Sequence, residues 1–127
     1  MVLNTKQKGN IGEDIACKYL VNRGYLIIER NYRKAWGEID IITTKDSLIH
    51  FIEVKSVLIK SLLFDKEHKP EENVHGYKMF HIRRMVQTYF DEKSLNLDTG
   101  FAFHVICVYL NPVTRRAKIK MIENIIL

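Results

Sequence analysis

Two short apolar runs, Glu38 to Thr44 and Leu48 to Lys55, stand either side of the turn-forming Lys45, Asp46 and Ser47, and this pairing constrains the fold more than any other stretch of the chain. Runs of this kind bounded by turn formers read as strands, and so short a connection makes them an antiparallel hairpin. Side chains alternate along a strand, so the hairpin also decides where its charges point. Asp40 lies on the first strand, Glu53 on the second, and Lys55 two residues further on shares a face with Glu53. Whether the carboxylates meet depends on register: pairing Asp40 opposite Phe51 or Glu53 puts them on one face, and pairing it opposite Ile52 does not. An even-numbered loop is required. A two-residue Lys45-Asp46 turn pairs Asp40 with Phe51, puts Glu53 on the diagonal about 7 to 8 Å away at Cα, and sends Ile39, Ile41 and Val54 to the opposite face for a helix to bury.

The rest of the chain frames this hairpin. Ile11, Ile15, Tyr19 and Leu20 recur at helical spacing, which predicts a helix from Thr5 to Arg23 stopped by Gly24. Tyr25 to Tyr32 is β-branched and aromatic and reads as a strand. Residues 56 to 72 lose the pattern and contain Pro70, so they read as a loop whose order the sequence leaves open. Val74, Tyr77, His81, Ile82, Met85, Val86 and Tyr89 form a second helical stripe, from Asn73 as cap to about Glu92. Phe101 to Leu110 is a long apolar strand, Asn111-Pro112 turns the chain, and Ala117 to Ile122 supplies a last strand at an edge. The order αβββαββ predicts an α/β fold, one mixed sheet with a helix on each face. With 127 residues, 46% of them hydrophobic, and no repeat or linker, residues 1–127 are expected to form a single domain.

Lys and Arg number 20 against 15 Asp and Glu, and the net charge of +5 suits a polyanionic partner. Met1 to Lys8 lacks the apolar core of a signal peptide, and no apolar run approaches the roughly 20 residues that span a bilayer, so a cytoplasmic location without membrane contact is expected. Cys17 and Cys107 are too few for a disulfide framework and sit in apolar patterns that suit reduced, buried thiols.

Phosphodiester hydrolysis at neutral pH needs an activated water and charge stabilisation at the phosphate, both of which one or two divalent metal ions supply. Mg²⁺ or Mn²⁺ wants oxygen ligands, and Asp40 with Glu53 offers them. Lys55 beside them would stay cationic and offset charge on the phosphate. Glu38 shares Asp40's predicted face, and Glu13 on the first helix approaches the site if that helix packs beside the hairpin. Glu-x-Lys alone recurs widely, and alternating strand charges usually form a solvated face. Carboxylates embedded as Ile39-Asp40-Ile41 and Phe51-Ile52-Glu53-Val54 are harder to explain by structure alone.

Gly12-Glu13-Asp14 with Ala16 and Tyr19-Leu20, then Gly24-Tyr25, Asn31-Tyr32-Arg33, Gly37-Glu38-Ile39-Asp40-Ile41-Ile42 and Phe51-Ile52-Glu53-Val54-Lys55, resemble the YraN-like family, uncharacterised protein family 0102. The resemblance covers the first half closely; beyond it, Lys78 and the strand Phe103 to Val108 carry it. It implies a restriction-endonuclease-like (tRNA endonuclease-like) fold close to Holliday junction resolvases. By position it makes Asp40 and Glu53 metal ligands, Lys55 the catalytic lysine and Glu13 the helix carboxylate of such resolvases. The chain departs from the pattern at Ser56-Val57, where a basic residue is common, and at His104, where Asp is usual.

Arg30, Arg33 and Lys34, with Tyr32 and Trp36 interleaved, suit phosphate contacts and base stacking, or equally a solvated loop. Lys78 and Arg84 on the second helix could face a nucleic-acid backbone, although a solvated helix face is the commoner role. His50 and His104, in apolar strands, read as hydrogen-bonded structural residues. The expectation is therefore a divalent-metal-dependent endonuclease acting on DNA, branched or otherwise structured, with a homodimer implied by analogy with junction resolvases. The alternatives are a catalytically inactive nucleic-acid-binding module of the same fold, and a protein-interaction domain.

Overall fold

The computed structural model describes residues 3–59 and 76–127. Its elements are α1 (Thr5–Asn22), β1 (Leu26–Lys34), β2 (Gly37–Lys45), β3 (Leu48–Leu58), α2 (Gly76–Glu92), a 3₁₀ turn at Leu97–Thr99, β4 (Phe101–Asn111) and β5 (Arg116–Ile122). The five strands form one mixed sheet in the order β1-β2-β3-β4-β5. Neighbours run antiparallel except β3 and β4, which are parallel and joined through α2. The expected α/β order is present. The Asn73 cap, Val74, Pro70 and most of the expected 56–72 loop lie outside the described residues.

α1 starts where its sequence supplies a cap. The Asn4 side chain accepts from the Gln7 N–H at 2.8 Å, and the Gln7 side chain accepts from the Asn4 N–H at 3.0 Å, a reciprocal arrangement in which the capping residue contributes about 1 kcal/mol. Arg23 caps the other end, and Gly24, with φ of 91°, turns the chain as a left-handed stop. Leu20 and Ala16 are fully buried against Tyr25, Ile41, Ile52, Ile106, Val108 and Leu110, which makes the core on the α1 side of the sheet.

The opposite face is covered by α2. Ile82, Met85, Val86, Tyr89 and Phe90 bury against Tyr32, Ile39, Ile42, Phe51, Phe103, Val105 and Cys107. β4 therefore feeds alternate side chains into both cores, and this is why its sequence reads as an almost continuous apolar run. Both cysteines are free; Cys107 is buried and Cys17 partly so. β5 lies at one edge, as expected. No helix among the described residues is long and apolar enough to cross a membrane.

Two boundaries differ from expectation by more than one residue. β1 runs on to Lys34, because its pairing with β2 continues to Gly37. β3 runs on to Leu58, so Ser56, Val57 and Leu58 are strand rather than loop, held by parallel pairing with Val108, Tyr109 and Leu110. Pairing partners half a chain away leave no mark on the local pattern.

The hairpin turn also differs. Lys45 pairs with Leu48, so the turn residues are Asp46 and Ser47, not Lys45 and Asp46. Both hold positive φ, 52° and 64°, the combination a two-residue turn needs to match strand twist. The loop is even-numbered, the condition the sequence sets for the two carboxylates to share a face. Extending the register one step beyond Ile41 and Ile52 brings Asp40 opposite Glu53 rather than Phe51.

Candidate functional site

The site is built around a step in the sheet. β1 and β2 pair at Arg30 with Ile41 and at Tyr32 with Ile39, but the Asn31–Asp40 position between them is skipped. Asn31 has φ of 53°, a left-handed conformation that asparagine adopts more readily than most residues. The side chains on either side consequently face opposite ways. Ile41 joins the α1 core and Arg30 ion-pairs with Asp14 of α1 at 2.9 Å, whereas Ile39 and Tyr32 join the α2 core. The expectation that Ile39, Ile41 and Val54 share one face is thus corrected: Ile41 and Val54 do, and Ile39 does not. Regular alternation fails because one residue leaves the extended region.

Asp40 sits at this step. Its Oδ2 accepts from the Val54 N–H at 2.8 Å, just past the last paired residues of β2 and β3. Asp40 lines a cavity of about 750 Å³ together with Glu13, Glu38, Asn31, Arg33, Val54, Ser56 and the first turns of α1, including Lys6 and Lys8. Glu53 and Lys55 belong to the other side of the sheet, following Phe51 of the α2 core. Lys55 Nζ lies 3.6 Å from Glu53 Oε1, and Lys78 of α2 pairs with the same oxygen more closely. Asp40 and Glu53 therefore meet across the seam between two strands, not on one even face.

Electrostatics bind the two halves together. Burial, then the nearby Glu53, Glu13 and Glu38, pushes Asp40 up to about 7, against the opposing Val54 N–H. Burial raises Glu13 as well, with Glu38 and Asp14 adding to it while Arg30 and Arg33 oppose. One Glu13 oxygen, Oε1, is buried without a hydrogen-bond partner. Burial, then the adjacent Lys78, lowers Lys55. For Lys78 burial acts downward, but its bond to Glu53 prevails and raises it. Like charges crowd Asp40, and a cation would relieve them. Among the described residues, no three His, Cys, Asp or Glu side chains already converge as a cation cage.

The other residues singled out by sequence are placed as follows. Glu13 reaches the cavity, and Glu38 lines it while pairing with Arg33 at 2.8 Å. Lys34 pairs with Glu92 at 2.6 Å, and the Tyr32 hydroxyl donates to the same carboxylate at 2.9 Å, so both tie β1 to α2. Arg84 stacks over the Trp36 ring, 5.0 Å from its centroid, and the Trp36 indole donates to Thr88 at 3.1 Å. Lys78 does not lie on a solvated face; it holds Glu53. Sequence reasoning missed Lys6 and Lys8 at the cavity and the step at Asn31. The one available signal was the asparagine itself, a residue disfavoured inside a strand.

Comparison with known proteins places this arrangement among relatives. The model of Uncharacterised protein family UPF0102 matches residues 12–108. A UPF0102 protein of Campylobacter lari is 37% identical over 125 residues, covering 98% of each chain. A UPF0102 protein of Clostridium botulinum is 38% identical, covering 94% of this chain and 93% of its own. One of Caldicellulosiruptor bescii is 36% identical, covering 96% and 98%. The matched span runs from the helix that carries Glu13 through Asp40, Glu53 and Lys55 to the middle of β4, so the chain belongs to Uncharacterised protein family UPF0102.

Proposed function

We propose that the chain is a divalent-metal-dependent endonuclease with a restriction-endonuclease-like fold in one domain, hydrolysing phosphodiester bonds in DNA, branched or structured DNA foremost. The observation that carries the reading is a buried Asp40 that feels the charges of Glu53, Glu13 and Glu38 and lines, with the latter two, a cavity of about 750 Å³. The donors fit Mg²⁺ or Mn²⁺: all are carboxylate oxygens, one of them the unpartnered Glu13 Oε1. Asp40 and Glu53 would hold the ion, with Glu13 and Glu38 completing the acidic set. Such an ion would polarise the phosphate and make a water acidic enough to attack it at neutral pH.

The chain's own residues supply the rest. The Val54 N–H fixes one oxygen of Asp40 and so orients the other. Lys55, close to Glu53, brings a positive charge to where the phosphate gains negative charge. Lys6, Lys8 and Arg33, which line the cavity with the acids, suit the flanking phosphates. A two-fold branched substrate would call for two copies, so a homodimer goes with this reading.

The test is incubation of the purified chain with duplex, four-way-junction and single-stranded DNA and RNA in Mg²⁺ or Mn²⁺. Cleavage of at least one substrate, lost in Asp40→Ala and Glu53→Ala, is the expected outcome. Salt-dependent binding with no metal-dependent cleavage would favour the second reading, a nucleic-acid-binding module of the same fold.

A further inference from the structure

Glu53 is more enclosed than the two lysines that address it: its side chain is 17% exposed, against 25% for Lys55 and 32% for Lys78. Both lysines address the same oxygen, Oε1. They come from different layers. Lys55 is two residues along the same strand and is carried wherever Glu53 goes, whereas Lys78 reaches in from α2. A carboxylate oxygen that receives two ammonium groups has little capacity left for a divalent cation, and a cation bound there would repel both lysines at close range.

Glu53 keeps a second oxygen, but a cation held by it would still stand close to both ammonium groups, so releasing one of them favours its binding. Lys55 is tethered by its strand. Both side chains have flexible stems, but Lys78 comes from another element and is the more open to solvent, so it is the one that can leave without disturbing the strand that carries Glu53. Once released, its ammonium lies beside the carboxylates, where the phosphate of a bound strand would sit, and it can exchange one anionic partner for another.

We infer that Lys78 is an ion-pair latch on Glu53, surrendered to a nucleic-acid phosphate when a divalent cation enters, so that cation and phosphodiester bind cooperatively. The inference rests on the nuclease reading above and adds the order of events at its site. Coupling of this kind is reciprocal: DNA tightens the cation by the same factor as the cation tightens DNA. Without DNA, the latch depresses cation affinity, and removing it should restore that affinity.

The test uses the full chain. Free Mn²⁺ is counted by electron paramagnetic resonance for the wild type, Lys78→Met, Lys78→Gln and Glu53→Gln, and DNA affinity is measured by fluorescence anisotropy with and without Ca²⁺. Lys78→Met and Lys78→Gln should bind Mn²⁺ about fivefold or more tightly than the wild type in the absence of DNA, a coupling of ordinary size. In both variants Ca²⁺ should no longer strengthen DNA binding as it does in the wild type. Equal or weaker Mn²⁺ binding by both variants, or Ca²⁺ coupling that survives them, overturns the latch while leaving the metal site intact. If neither the wild type nor the Lys78 variants bind Mn²⁺ in a way that Glu53→Gln abolishes, the nuclease reading itself fails, and the latch fails with it.

Discussion

Gly12 of α1 lies so close to Ser56 of β3 that a Cβ at Gly12 would fall 1.8 Å from Ser56 Oγ and 3.0 Å from Ser56 Cβ. Glycine at this helix position is therefore a condition of α1 approaching the sheet, and Glu13, the next residue, reaches the cavity because of that approach.

Gly12→Ala sets two effects against each other. Alanine favours the helix by about 1 kcal/mol, whereas the clash forces a shift of the kind that costs about 1–3 kcal/mol in a packed interior. The clash wins, and urea denaturation should show a net loss of stability. Ser56→Gly removes both offending atoms and leaves Val54 Cγ1 at 3.7 Å as the nearest neighbour. Gly12→Ala should consequently be better tolerated in a Ser56→Gly background than in the wild type. Additive effects of the two substitutions would refute the contact.

Asp40 should make the protein less stable as pH rises. Its folded value of about 7 stands above the ordinary 3.8, so the folded state binds the proton more readily than the unfolded chain. The stability this contributes is present at low pH and is lost as pH climbs from about 4 through about 7. Asp40→Asn keeps an oxygen for the Val54 N–H and removes the charge. In EDTA the variant should melt several degrees above the wild type at pH 8, with the gain shrinking towards pH 4. A gain that does not depend on pH would contradict the assignment.

The histidine pair works in the opposite direction. His50 Nδ1 and His104 Nε2 lie 2.8 Å apart, and the Asn124 N–H donates to His104 Nδ1 at 3.0 Å. That donor leaves the His104 proton on Nε2, facing His50 Nδ1, and puts the His50 proton on Nε2 towards the Lys45 carbonyl at 3.3 Å. His104 is therefore neutral, with its tautomer defined. Burial, then His50, pushes His104 down to about 4, against a lesser upward pull from Glu123. An unfolded histidine gains its proton near 6.5, so stability is lost as pH falls from there to about 4, by on the order of 3 kcal/mol across the window. Long-range nitrogen–proton spectra at pH 6 should show a neutral His104 with its proton on Nε2; an imidazolium there would sink the account.

Asn31 should prove sensitive to the shape of its replacement rather than to polarity. Glycine takes the left-handed region freely, so Asn31→Gly should fold with little loss. Asn31→Val should lose at least about 1–2 kcal/mol, the cost of holding a side chain with a branched Cβ at φ of 53°. If DNA cleavage is found for the wild type, it should survive Asn31→Gly better than Asn31→Val. Equal thermal melts for the two variants would show that the conformation is unimportant.

The parts of this fold that could be read from sequence are those fixed over short distances. Ile11, Ile15, Tyr19 and Leu20 announced α1, and the apolar runs either side of Lys45, Asp46 and Ser47 announced the hairpin, while which two residues turn it is fixed by the pairing of Lys45 with Leu48. Asp40 and Glu53 could be named as neighbours for that reason. The way they meet could not, because a single left-handed Asn31 changes the facing of both strands without disturbing their apolar pattern. Lys78 could be placed on a helix, but its contact with Glu53 depends on how α2 docks across the sheet. The strand character of Ser56 to Leu58 depends likewise on β4, some fifty residues later in the chain.

Anyone redesigning this sheet for regularity would begin at Asn31, exchanging it for a β-branched residue and straightening β1 and β2. With the observed hairpin register, the straightened strands would set Asp40 and Glu53 side by side on one surface and return the Val54 N–H to the ladder. The engineered chain would be an easier one to fold and to pack. Its acids would then lie on one layer, within reach of one helix only, whereas the natural step lets a carboxylate from α1 and an ammonium from α2 address the same pair from opposite sides.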